Sequence, residues 1–197
     1  MRRDFINFMN KVLSESGATR IPQKYRNQKR NYERHITPLK RIRSLGLSKG
    51  LDFGCGLGSS CVLGKMMQLD ITGIDIPSTG IKRNRGTGIM EKVPELESRY
   101  LPVQTHLISL GYPIQIMDTT QTPWECFEDQ EFEFILCLWS INKQFMNRED
   151  WDLEDRIKEM VRITDKKGTW FIRPERHSNL ASSRFGHLLG GIKIETV

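Results

Sequence analysis

The 197 residues suffice for one domain with a single substantial core. No apolar run approaches the roughly 18 residues of a membrane span, and Met1-Arg2-Arg3-Asp4-Phe5 lacks the apolar stretch and cleavage site of a secretory signal. The net charge of +6 is uneven: residues 1–50 carry 13 Lys and Arg against 3 Asp and Glu, a balance of +10, and the rest carry 17 against 21, a balance of −4. Such a basic end suits a polyanionic partner or, equally, a solvated helical face. Cys55, Cys61, Cys126 and Cys137 show no paired spacing with histidines, so no metal is expected. Free thiols in a reducing cytoplasm are the simplest expectation.

In chain order, Phe5, Phe8, Met9, Val12 and Leu13 recur at helical spacing, and Ser16-Gly17 supplies the stop. Pro22 to Arg34 is basic, with Lys24, Arg26, Lys29, Arg30 and Arg34 interleaved with Tyr25 and Tyr32. That mixture suits phosphate and base contact, or a surface helix with both tyrosines turned inward. Thr37-Pro38 reads as an N-cap and first helical position, with Leu39, Ile42 and Leu45 on one face and Gly46 at the end. Residues 1–46 are therefore expected to form a basic helical extension packed on a domain spanning 47–197.

Leu51-Asp52-Phe53 then reads as a short strand, Gly54-Cys55-Gly56-Leu57-Gly58 as a turn, and Ser59 onward as a helix. Alternate glycines permit positive φ and close approach of a ligand to the main chain. The helix start offers N–H groups to a carboxylate or phosphate. A dinucleotide fingerprint needs G-x-G-x-x-G; here the third glycine comes one residue early.

Ile71 to Ile76 is the next strand, with Asp75 at its end, 17 residues beyond Gly58. A fixed acid there can accept both hydroxyls of a ribose; the alternative is a turn aspartate before Pro77. Lys82 to Gly88 is a basic, glycine-punctuated loop. Glu91 to Gly111 contains helix interrupted by Pro94 and Pro102. Pro113 to Asp118 is a third strand ending in an acid. Phe132 to Trp139 is a continuous apolar strand, covered on both faces. Asn147 is an N-cap, followed by acids on the first turns and an apolar face of Leu153, Ile157, Met160 and Val161. Thr169 to Pro174 is a fifth strand, Ser178 to Leu189 a helix and Ile192 to Val197 a last strand. Alternating strands and helices imply an α/β fold: one doubly wound, mainly parallel sheet with helices on both faces.

The run Asp52-x-Gly54-x-Gly56-x-Gly58 resembles the first motif of the class I (Rossmann-like) S-adenosylmethionine-dependent methyltransferases. The resemblance covers residues 48–175 and is loose beyond Asp75. It implies cofactor contact by Asp52, Gly54, Cys55, Gly56 and Gly58, and ribose contact by Asp75. Ile76 then lies against the adenine, Asp118 and Thr119 beside its amino group, and Ser140 beside the sulfur. The implied cofactor is S-adenosyl-L-methionine and the implied reaction methyl transfer. Asn142 and His177 are the catalytic candidates, to orient an acceptor or move its proton. The family's sheet ends in an antiparallel hairpin, of which only one strand is legible here, so the hairpin is incomplete or the chain cut short.

No acceptor is named by the residues: small molecule, RNA, DNA and protein stay open. Two rival classes remain. One is an inactive methyltransferase-like module that binds nucleic acid through the basic N-terminal region. The other is a nicotinamide-dependent oxidoreductase on the same fold.

Overall fold

The computed structural model describes residues 1–19, 21, 23–75, 81–83, 90–92, 99–117, 122–138, 153–172 and 186–197. Its first helix, α1 (Arg2–Glu15), buries Phe5, Met9 and Val12 along one stripe, and Gly17 closes it at φ +66°. A single turn, α2 (Gln23–Arg26), leads into α3 (Gln28–Ser44).

Here the structure corrects the expected boundary. The cap of α3 is Asn27, whose side chain accepts the Arg30 N–H at 3.0 Å, ten residues before Thr37. Pro38 therefore lies inside the helix, where it removes one donor from the i−4 ladder. Its neighbours Leu39 and Ile42 are wholly buried, and that packing carries the helix past the missing donor.

The sheet is built from β1 (Lys49–Phe53), β2 (Asp70–Asp75), β5 (Ile114–Ile116), β6 (Phe132–Cys137), β7 (Thr164–Ile172) and β8 (Lys193–Thr196). Their order is β5-β2-β1-β6-β7-β8, and every neighbouring pair is parallel. Counted along the chain this is 3-2-1-4-5-6, with the order reversing between β1 and β6. Parallel strands need crossovers, which here include α4 (Ser59–Met66), α5 (Leu101–Ser109) and α6 (Leu153–Ile163). Among the described residues β8 follows β7 in parallel, so no antiparallel closing hairpin is seen. A separate two-stranded hairpin, β3 (Ile81–Arg83) with β4 (Met90–Lys92), stands where a loop was expected; the rest of that stretch lies outside the described residues.

Alternation along the strands divides the core. Phe134, Leu136 and Leu138 face α1, α3, α4 and α5 in one apolar cluster that includes Phe5, Leu39, Leu63 and Leu107. Ile135, Cys137, Trp170 and Ile172 face the other way, onto Ile157, Met160 and Ile163 of α6 and onto Trp124 and Phe127. The two clusters are the covered faces expected of a buried parallel sheet. Gly50 is fixed by this packing, since a Cβ there would sit 2.1 Å from the Phe134 ring.

Three further expectations are revised. Pro102 does not interrupt a helix; it occupies the first turn of α5, where its missing N–H costs nothing. Thr164 already pairs with Phe132, so strand follows α6 without a break, and a bulge before Thr169 takes up Asp165–Gly168. The described end of the expected Ser178–Leu189 helix is one 3-10 turn, Gly186–Leu188. Among the described residues no helix is long and apolar enough to cross a membrane.

Candidate functional site

The carboxyl ends of β1 and β2 meet at the glycine turn. Gly54, Gly56 and Gly58 all have positive φ, at +77°, +55° and +70°. The N–H groups of Gly54 and Cys55 both donate to the Ile74 carbonyl, at 2.9 and 3.0 Å, which ties the turn to β2. Gly73 allows this approach: a Cβ on it would lie 2.9 Å from Cys55 and 2.8 Å from the Cys61 Sγ. Gly58, the cap of α4, leaves room for Leu107 and Ile114, which a Cβ would meet at 2.8 and 2.7 Å.

Asp75 is brought onto the turn. The Gly56 N–H donates to its Oδ2 at 2.8 Å, and Gln104 Nε2 on α5 donates to the same oxygen at 3.0 Å. Gln104 Nε2 also donates to the Gly56 carbonyl at 2.7 Å. Beside Gly56 the space is open: the nearest atom to a Cβ built there is Tyr100 Cε2, at 4.0 Å. Tyr100 in turn contacts Tyr25 edge to face, with ring centroids 5.6 Å apart. Burial, then the hydrogen bond with Tyr25, pushes the Tyr100 phenol up.

Asp52, at the end of β1, is buried and accepts a hydrogen bond from Ser60 Oγ on α4. Burial raises its carboxyl to about 7; the Ser60 hydrogen bond opposes the rise and the charge on Asp75 adds to it. Cys55 and Cys61 are buried, and burial pushes both thiols up, so neither is a poised nucleophile.

The structure thus gathers Asp52, Gly54, Cys55, Gly56, Gly58 and Asp75 at one place. Ile76, Asp118, Thr119, Ser140, Asn142 and His177 lie outside the described residues, as does Asn147. The N–H groups of Gly54, Cys55, Gly56 and Gly58 all have acceptors within the chain, that of Gly58 being the Cys55 carbonyl at 2.9 Å; the helix start expected to offer N–H groups lies beyond them, at Ser59.

Sequence reading missed Gln104, Tyr100 and Ser60. A signal existed for Gln104: it is a polar residue on the buried stripe of Val103 and Leu107, after a first-turn proline that sets the helix register. Two histidines have partners within the chain. His35 Nδ1 lies 2.7 Å from the Asn31 carbonyl, and His106 Nε2 lies 3.3 Å from Glu15.

Tyr25 and Tyr32 turn inward, Tyr32 against Phe5 at 5.8 Å. Arg26 is spent on the carbonyls of Ile21, Ala18 and Thr19. Lys29 and Arg30 are exposed and, among the described residues, have no ion pair.

No family model and no curated protein matches the chain. Solved structures do resemble it. A protein from Pyrococcus horikoshii aligns at 16% identity and TM-score 0.48, over 75% of this chain and 58% of its own. A methyltransferase from Archaeoglobus fulgidus that depends on S-adenosylmethionine aligns at 12% and 0.40, over 68% and 50%. The DesVI protein of Streptomyces venezuelae aligns at 11% and 0.45, over 73% and 50%. The chain spans 50–58% of the length of these structures. Its own strand order, parallel register and helix placement define the fold, which is α/β with one doubly wound parallel sheet of Rossmann-like order.

Proposed function

We propose that the chain binds S-adenosyl-L-methionine across the carboxyl ends of β1 and β2 and transfers its methyl group to an acceptor. The observation that carries this reading is the Gly56–Asp75 contact. A dinucleotide site keeps the N–H groups of its glycine turn for a pyrophosphate. In this turn a carboxylate takes the Gly56 N–H, and backbone carbonyls take those of Gly54, Cys55 and Gly58. An acid at the end of the second strand serves the ribose in dinucleotide sites as well, so the early third glycine is what separates the two readings. S-adenosylmethionine offers its two ribose hydroxyls to the acid and has no pyrophosphate to be held by the turn.

The residues present fit that group. Asp75 would accept the ribose hydroxyls, and the open space beside Gly56 is a cradle that a Cβ would fill. Asp52 fixes the start of α4 through Ser60 and holds the turn from below. When bound, the cofactor supplies a methyl carbon already activated by positive sulfur. The protein's task is then to orient the acceptor in line and exclude water. Asn142 and His177 are the proposed groups on the acceptor side.

One observation favours a second reading. A parallel sixth strand in the order 3-2-1-4-5-6 is also the sheet of nicotinamide-dependent oxidoreductases. Cofactor binding and methyl release, measured side by side, test the proposal. Labelled methyl appearing in one fraction of a cell extract supports turnover. Tight binding with no release in any fraction favours the inactive module, and reduction or oxidation of a nicotinamide favours the oxidoreductase.

A further inference from the structure

We propose that Gln104 is a positioning residue of this site, locking the Asp75 carboxylate and the Gly56 carbonyl into one arrangement through the two N–H donors of its side-chain amide. The inference rests on reading the glycine turn and Asp75 as a nucleoside site.

Gln104 is wholly buried on α5, between residues that are apolar. Its Nε2 reaches two acceptors, the Gly56 carbonyl at 2.7 Å and Asp75 Oδ2 at 3.0 Å. Its own carbonyl, Oε1, is buried and has no hydrogen-bond partner among the described residues. The amide cannot be turned over to relieve that oxygen, because Oε1 would then face a carbonyl and a carboxylate at the same distances. A buried orphan acceptor is costly, so the two donated bonds are what hold the side chain. They join three elements: α5, the turn after β1, and the end of β2. Asp75 then has one oxygen held by Gly56 and Gln104 together, which fixes the plane of its carboxylate before a diol arrives. Pre-set acceptors lose less freedom on binding than mobile ones.

The titratable and charged groups around the amide are Asp75 itself, Asp52 from β1, Cys55 of the turn, Tyr25 from α2, and Tyr100 with Arg99 just ahead of α5. The test follows the carboxylate carbon of Asp75 by NMR in the ligand-free chain, and S-adenosylmethionine affinity by calorimetry, both across pH. In Gln104→Met the carboxylate loses a donor to its charged form, so Asp75 is expected to titrate at higher pH than in the parent. Affinity at pH 7 should fall about tenfold. In Gln104→Glu a second carboxylate faces Asp75, so affinity should be weakest at neutral pH and recover as either acid takes a proton. If Gln104→Met does not fold, the pH profile of Gln104→Glu decides alone.

Identical Asp75 titration in the parent and a folded Gln104→Met overturns the proposal. So does a shifted titration with affinities and pH profiles equal to the parent's in both variants. A parent that binds no S-adenosylmethionine, with Asp75 still shifted by Gln104→Met, sinks the nucleoside reading but leaves the locking of Asp75 by Gln104 standing.

Discussion

Gly56 sits at φ +55° with open space where its Cβ would be. Gly56→Ala should cost stability about 1 kcal/mol through the left-handed backbone alone, leaving the fold intact by circular dichroism. Cofactor affinity should fall at least about tenfold, because the methyl group occupies the cradle. A variant that binds as the parent does would mean the ligand lies elsewhere. Asp52 carries a different prediction. Its carboxyl is raised by burial from 3.8 to about 7, so the folded chain holds the proton more tightly than the unfolded one. The stability linked to this proton is fully present below about 3.8 and is lost as pH rises through about 7. Urea midpoints of the parent should therefore drop between pH 5 and pH 8. Asp52→Asn, neutral and still able to accept from Ser60, should flatten that drop. A parent slope unchanged by Asp52→Asn would assign it to another group.

At the scale of elements, one arginine fastens the segment after β5 to α6. Arg162 donates to Glu159, to Asp129 at 2.6 Å and to the carbonyls of Phe127 and Trp124, while Glu159 accepts the Trp124 N–H at 2.8 Å. Trp124 is thereby held stacked on Phe53, with centroids 5.8 Å apart, under the strand that ends at the glycine turn. Arg162→Ala should destabilise the chain by about 2 kcal/mol, since several charge-assisted bonds go at once. An unfolding midpoint equal to the parent's would show the fastening to be idle. The sequence made the sheet legible because its buried strands are short apolar runs with glycine or acid at their ends. The meeting of the glycine turn with Asp75 was legible because glycines and an acid stand at fixed spacing at the ends of two neighbouring strands. Pro38 misled because Thr-Pro imitates a helix start, while the true cap, Asn27, sits among polar residues with no apolar onset to mark it. Gln104 had no motif: its role exists only once α5 is laid across the ends of β1 and β2. The partners of Tyr25 and His106 are as distant in sequence, Tyr100 and Glu15, and no periodicity joins them.

For the whole molecule, charge is divided between a basic start and an acidic remainder. Part of the basic excess is structural: Arg41 grips Glu195 of β8 with two bonds, at 2.9 and 3.1 Å, and Arg2 pairs with Glu33. Lys29, Arg30, Lys40 and Arg43 on α3 stay exposed and, among the described residues, unpaired. The start of α3 is joined to the site through Tyr25 and Tyr100. A polyanionic acceptor is the proposal these charges support. Oligonucleotide binding should weaken with salt at a slope of about −0.7 per phosphate contact on single strands, and Lys29→Glu/Arg30→Glu should lower that slope by about one to two contacts. Equal binding by parent and variant would leave α3 a solvated face and favour a small acceptor. The most direct measurement on the central claim is calorimetry of the intact chain and of Asp75→Ala with S-adenosylmethionine and with NADH. The expected result is binding of S-adenosylmethionine but not NADH by the parent, weakened about 10- to 100-fold in Asp75→Ala as a charge-assisted acceptor is lost. Preference for NADH, or an Asp75→Ala affinity within about twofold of the parent's, would contradict it.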